Sequence, residues 1–155
     1  MVNRVYRYLL ISLLGILPIS ICSAQSFISD KTVRAQVLTV MSMPSDIEQG
    51  AAAEDLFDMV EGKNLDHVHS QTIHMVSDLM SNNSEGVTIW IAATLGEFRG
   101  RASFAAPRLI KALKKAECRR VDASSEFIIR TALKKMGANV PDSECSKHQT
   151  SPQMQ

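Results

Sequence analysis

The 155 residues carry 17 Lys and Arg against 16 Asp and Glu, a formal net charge of +1, and 45% of the side chains are hydrophobic. That composition supplies enough apolar surface for one buried core. After the first 24 residues no run approaches the roughly 18 apolar residues of a membrane span, which excludes a helical anchor in the body of the chain.

Arg4 and Arg7 precede an apolar run from Leu9 to Leu17, which Pro18 ends, and small residues follow at Ser20, Cys22 and Ala24. A positive start, a short apolar run and small residues before a cut are the pattern of a secretory signal peptide. Residues 1–24 are therefore expected to be removed after Ala24, leaving an exported chain that begins at Gln25. A lipoprotein signal would instead cut before Cys22 and tether the chain to lipid, but bulky Ile21 stands where that signal wants a small residue. The mature chain reads as a single helical domain over residues 25–148, with a disordered tail at 149–155.

Export leaves two cysteines, Cys118 and Cys145. In an oxidising compartment such a pair is expected to form a disulfide, closing a loop of roughly 27 residues and contributing about 3 kcal/mol in the chain-entropy view. The rival, a zinc site, lacks a close Cys-x-x-Cys partner.

Charge is balanced overall but not along the chain. Asp30 to Glu97 holds 11 acidic and 3 basic residues, a net of −8, whereas Phe98 to Lys147 holds 12 basic and 5 acidic, a net of +7. Solvated helix faces explain such blocks, and steering toward an oppositely charged protein is the alternative. Nucleic acid is not expected as a partner, because export removes it and no aromatic residues are interleaved with the basic ones to stack on bases.

Periodicity is helical almost throughout. Asp30 is a candidate cap for a first helix carrying Val33, Val37, Val40 and Met41. After Pro44 a second stripe runs through Ile47, Ala51, Leu56, Met59 and Val60 and stops at Gly62. Asp66 is a candidate cap for a third helix with Val68, Thr72, Met75, Val76 and Leu79 on its core face. The polar stretch Ser81 to Gly86 reads as a loop. Beyond it Val87, Trp90, Ile91, Thr94, Leu95 and Phe98 form the cleanest stripe, flanked by the small Ala92 and Ala93, and Gly100 ends it. Ser103 can cap the next helix, which tolerates Pro107 only in its first turn and continues through Leu109, Ile110, Leu113 and Ala116. Asp122 or Ser124 opens a last helix with Ile128, Ile129, Ala132, Leu133 and Met136, closed by Gly137. No window alternates with period two over a strand's length, so the fold class is all-α, with about six helices.

Laying Leu95 on Leu133 aligns Ile91 to Phe98 with Ile129 to Met136 at a period of about 38 residues, near that of two-helix solenoids. Small Ala92 and Ala93, the Leu95-Gly96 pair and the Ala106-Pro107 entry stand where HEAT repeats put such residues. The segment from roughly Met75 to Ala138 thus resembles HEAT or armadillo-like repeats, which implies a short helical bundle with a concave face and protruding inter-helix loops. The helices before Asp66 lack the signature, and Lys134 replaces a frequent Gly, so they and the disulfide-tied tail are expected to act as caps.

For chemistry, Asp66, His67, His69 and His74 are the densest set of ligand types. His69 and His74 lie five apart, however, off the i, i+4 spacing that helical metal sites favour. Glu54, Asp55 and Asp58 share a helix face, but nothing argues for burial or a nucleophile. Gly-x-Ser-x-Gly, phosphate-loop and His-Glu-x-x-His patterns do not occur. The expectation is a protein without catalytic residues, metal or cofactor; an enzyme or metal carrier using the histidines is the weaker alternative.

Protein binding is therefore the leading function class, and a chain lacking other extracellular modules points to a Gram-negative periplasm, with secretion as the alternative. Small helical periplasmic proteins with a signal peptide and one disulfide resemble the immunity proteins of type VI secretion amidase effectors. That architectural likeness implies occlusion of a cell-wall-degrading toxin's cleft, and an adaptor or scaffold of HEAT type is the runner-up. The candidate contact residues are Ser81, Asn82, Asn83, Ser84 and Glu85 before the fourth helix and Arg99 and Arg101 after it. Self-association as a homodimer is open to the same surfaces. Asn82-Asn83-Ser84 is also a sequon, relevant only in a eukaryotic secretory pathway.

Overall fold

A computed structural model of the chain describes residues 26–82, 84–119 and 123–142. The signal-peptide pattern, Asn83, Cys145 and the tail at 149–155 lie outside the described residues, and so do the side chains of Asn82 and Cys118. The expected disulfide therefore lies outside them too.

Six α-helices are described: α1 (Asp30–Ser42), α2 (Asp46–Val60), α3 (Ser70–Asp78), α4 (Glu85–Glu97), α5 (Ala106–Arg119) and α6 (Ala123–Lys135). Short 3₁₀ helices, Leu79–Asn82 and Arg99–Ala105, follow α3 and α4. Among the described residues the fold is all-helical, and the one β-type contact is an isolated bridge between Phe27 and Asn64.

Local chemistry sets the helix ends. The Ser29 hydroxyl accepts from the Thr32 N–H at 3.2 Å and so caps α1. Asp30, the expected cap, becomes the first helical residue instead. Its carboxylate accepts the backbone N–H of His69 at 2.8 Å, ahead of α3. Ser45 and Glu48 form a reciprocal capping box at the start of α2, with the Glu48 N–H donating to the Ser45 hydroxyl at 3.3 Å and that hydroxyl donating back to the carboxylate at 2.7 Å. Gly137, at φ +73, ends α6 in a Schellman turn: its N–H reaches Lys134 O, and that of Ala138 reaches Leu133 O, both at 3.0 Å.

The third helix starts later than its sequence suggests. Asp66 donates its backbone N–H to Asn64 Oδ1 at 2.9 Å and stays outside the helix, which opens at Ser70 with His69 as N-cap. The side-chain oxygen that serves this helix start thus comes from α1, 39 residues away.

α2, α4 and α6 lie side by side with α4 in the middle; α1 packs on α2 and α3, α3 on α4, and α5 on α6. Because α4 is flanked on both sides, its stripe broadens until Val87, Ile91, Ala92, Thr94, Leu95 and Gly96 are all buried. A Cβ at Gly96 would stand 3.0 Å from the Ala132 Cα, so α4 and α6 touch backbone to backbone. Four hydroxyl side chains, those of Thr72, Ser77, Thr94 and Ser125, are also buried, and each has a polar partner.

Three expected core positions differ. Met41 is 58% and Ile47 85% exposed, and Ala51 is exposed while Ala52 and Ala53 are buried, so the start of α2 departs from the expected stripe, which Leu56 and Val60 rejoin. Trp90 is half-buried, its ring 5.6 Å from that of Phe57.

Burial pushes the Asp30 carboxyl upward, yet hydrogen bonds from the Thr72 side chain and the His69 backbone, with the charges of His69 and Arg34, hold it below the ordinary value. A carboxylate lowered in the folded state stabilises above its unfolded pKa of about 3.9, and that contribution fades as pH falls through the folded value. Asp30→Asn should accordingly flatten the acid limb of a pH–stability curve below about pH 4, measured by urea unfolding. Glycines in α2 and α4 should respond in opposite directions. Gly96→Val should cost about 1–3 kcal/mol by overpacking against Ala132, whereas Gly50→Ala, with nothing within 4 Å of its added methyl, should gain about 0.5–1 kcal/mol of helix stability.

Candidate functional site

Among the described residues, the stretch Ser81 to Gly86 is largely helical. Residues 79–82 form a 3₁₀ turn, and α4 already begins at Glu85 with Ser84 as its N-cap. The Ser84 carbonyl accepts both the N–H and the hydroxyl of Thr88, at 3.0 and 2.8 Å, so its backbone is committed to the helix start.

That turn borders a cleft of about 390 Å³ between α4 and α5. The cleft exists because α5 packs chiefly on α6 and on the preceding 3₁₀ segment and stands off from α4. Met80 and Ser81 contribute from the turn, Glu85, Thr88 and Ile89 from α4, and Ser125 and Ile129 from α6. On α5, Ala112 and Ala116 present thin apolar surface, while Arg108, Lys111 and Lys115 add three exposed cations. The single carboxylate in the lining, Glu85, accepts from the Ser125 hydroxyl at 3.3 Å. Arg108 is engaged across the end of α3, donating to Ser77 O at 3.0 Å, Ser77 Oγ at 3.1 Å and Asp78 Oδ1 at 2.7 Å. Lys111 and Lys115 form no ion pair with the described residues.

Of the residues proposed from sequence, Ser81 and Glu85 line this cleft and Ser84 occupies the N-cap position of the helix beside it. Arg99 and Arg101 lie beyond the other end of α4, which at 1.5 Å per residue is about 20 Å away. Arg99 is exposed at φ +52. The Arg101 guanidinium donates to Leu65 O at 2.7 Å and also to Val68 O, clamping the segment that leads into α3. Arg101 therefore shares no patch with Ser81, and its backbone-carbonyl partners occupy it.

The histidines go three ways. His67 lies 4.3 Å from the Phe27 ring, His69 Nδ1 is 3.5 Å from Asp30 Oδ2, and His74 stacks on Phe104 at 3.8 Å. No group of three or more His, Cys, Asp or Glu among the described residues is arranged to hold a metal ion. Glu54, Asp55 and Asp58 are exposed on α2.

Arg130, which sequence reasoning passed over, joins three segments. It donates to Glu117 of α5 at 2.5 Å, to Glu126 one turn back at 2.7 Å and to the Pro141 carbonyl at 3.1 Å. The Glu117 side chain is only 3% exposed, so Arg130 neutralises a buried charge. The cleft lysines were visible only as part of a basic block; their i, i+4 spacing beside Ala112 and Ala116 was the available signal.

The chain matches no family model, no curated protein and no solved structure. Among the described residues no helix is long and apolar enough to cross a membrane.

Arg101→Ala should lower stability by about 1.5–3 kcal/mol, since two carbonyls lose a charged donor. Amide hydrogen exchange should show the loss of protection concentrated at residues 65–69, with the cleft helices unaffected.

Proposed function

We propose that this chain is an exported protein-binding domain, an immunity-type inhibitor that occludes the active site of a co-encoded cell-wall-degrading effector. The observation that carries the reading is the cleft between α4 and α5, bordered by Ser81 and Glu85. It is a concave site with an apolar interior and convergent polar groups, the usual anatomy of a recognition site. The N-terminal signal pattern supports export to a periplasm, where the substrate of such an effector lies.

The HEAT-like reading belongs with this proposal. It is supported by the side-by-side packing of α4 and α6, whose contact at Gly96 and Ala132 lies next to the Leu95–Leu133 pair that the 38-residue register superposes. The disulfide between Cys118 and Cys145 is proposed on the same footing, as a tie from the end of α5 to the C-terminal segment. An adaptor or homodimer is a second reading, favoured by a different surface: Phe127 of α6 is 70% exposed and shares a small groove with Phe57 of α2 and Ala93 of α4.

Co-expression with the product of the neighbouring gene tests the first reading. The expected result is a stable complex that suppresses peptidoglycan hydrolysis at one-to-one stoichiometry. Asn82→Ala with Asn83→Ala should weaken it several-fold without changing thermal stability, because both are polar amides that stand outside the apolar stripes of the sequence. A wild-type protein that neither binds the neighbour nor protects against it, with a dimer held through Phe127, would replace inhibition by the scaffold reading.

A further inference from the structure

We infer that the α4–α5 cleft receives an extended acidic segment of the partner protein, with carboxylates on Lys111 and Lys115 and an intervening apolar side chain seated against Ile89 and Ile129. The inference rests on the protein-binding reading and adds the chemistry of what is bound.

Charge comes first. Lys111 and Lys115 are exposed at the cleft and form no ion pair with the described residues, and the lining's one carboxylate already takes the Ser125 hydroxyl. The complementary ligand is anionic, and it would be attracted over a distance of about 8–10 Å at ordinary salt.

Spacing then selects the kind of anion. Four residues of helix place the two lysines about 6 Å apart along α5, close to the roughly 6.6–7 Å between side chains i and i+2 on one face of an extended chain. Carboxylates at i and i+2 therefore meet both lysines, and the residue between them points the other way. That other way is apolar: Ala112 leaves α5 thin, so Ile89 of α4 and the buried Ile129 of α6 line the gap. A single-headed amphiphile such as a fatty acid would use one cation and leave the second unmatched, and an inorganic polyanion would leave the apolar surface uncovered.

The test uses the purified chain and a fluorescein-labelled eight-residue peptide with a central Asp-Leu-Asp, read by fluorescence anisotropy. Saturable binding is expected, weakening at least about tenfold when the centre is changed to Asn-Leu-Asn or to Asp-Ser-Asp, and weakening with added salt. Lys111→Glu with Lys115→Glu should weaken binding at least about tenfold, while Lys134→Glu, an exposed charge reversal outside the cleft lining, should change it less than about twofold. Ala112→Leu should also abolish binding by filling the gap, without altering charge, and circular dichroism checks that each variant is folded. No binding, equal binding of the Asn-Leu-Asn peptide, or displacement by equimolar dodecanoate would overturn the inference. If the lysine variant loses the effector while the acidic peptide does not bind, the acidic segment is wrong and the protein-binding reading stands; if effector and peptide both ignore the variant, the cleft is not the site.

Discussion

The contact between α4 and α6 at Gly96 and Ala132 sets the architecture around it. With no side chain at Gly96 the two helices meet at backbone distance, and α4 is held between α6 on one side and α2 on the other. The 3₁₀ segment Arg99–Ala105 then carries the chain off the end of α4; seven residues at about 2 Å each give it a reach of roughly 14 Å. α5 starts from that displaced point and settles on α6. The gap left between α5 and α4 is the cleft, so the site is a by-product of how closely two other helices approach.

What could be read from the sequence follows how local each cause is. The α4 stripe from Val87 to Phe98 was legible because, Trp90 apart, periodicity and burial agree there, and Gly62, Gly137 and Pro107 marked helix ends through backbone constraints that act at one residue. The face of α2 was not, since Ala51, Ala52 and Ala53 give periodicity little contrast and Ile47 lies on the surface. Asp66 had the right chemistry for a cap and lost to Asp30, a competitor far away in sequence. The polar residues 81–86 suggested a loop because composition cannot distinguish a loop from a helix start. The cleft itself was invisible: it depends on the displacement of one helix, which no single residue announces.

The charge asymmetry along the chain is partly an internal matter. Lys135 pairs with Glu97 and Arg108 with Asp78, each joining the basic half to the acidic half. Pairs with at least one exposed partner contribute little, about 0–1 kcal/mol each. Arg130 and Glu117 differ, because one of the two charges is nearly inaccessible to water and is tolerable only while its partner stays. Lys111 and Lys115, in no ion pair with the described residues, are then among the outward-looking charges of the basic block.

α5 is held unlike its neighbours. Leu109 and Leu113 anchor its middle in the core, but its beginning is tied to α3 through Arg108 and its end to α6 through Glu117, both by charge. α4, by contrast, is gripped by apolar contacts along its whole length. Local stability follows the attachments, so α5, which stands off from α4, is the less firmly held wall of the cleft. Dissolved salt weakens the exposed tie at Arg108 far more than the buried one at Glu117, so the two ends of α5 respond unequally to ionic strength.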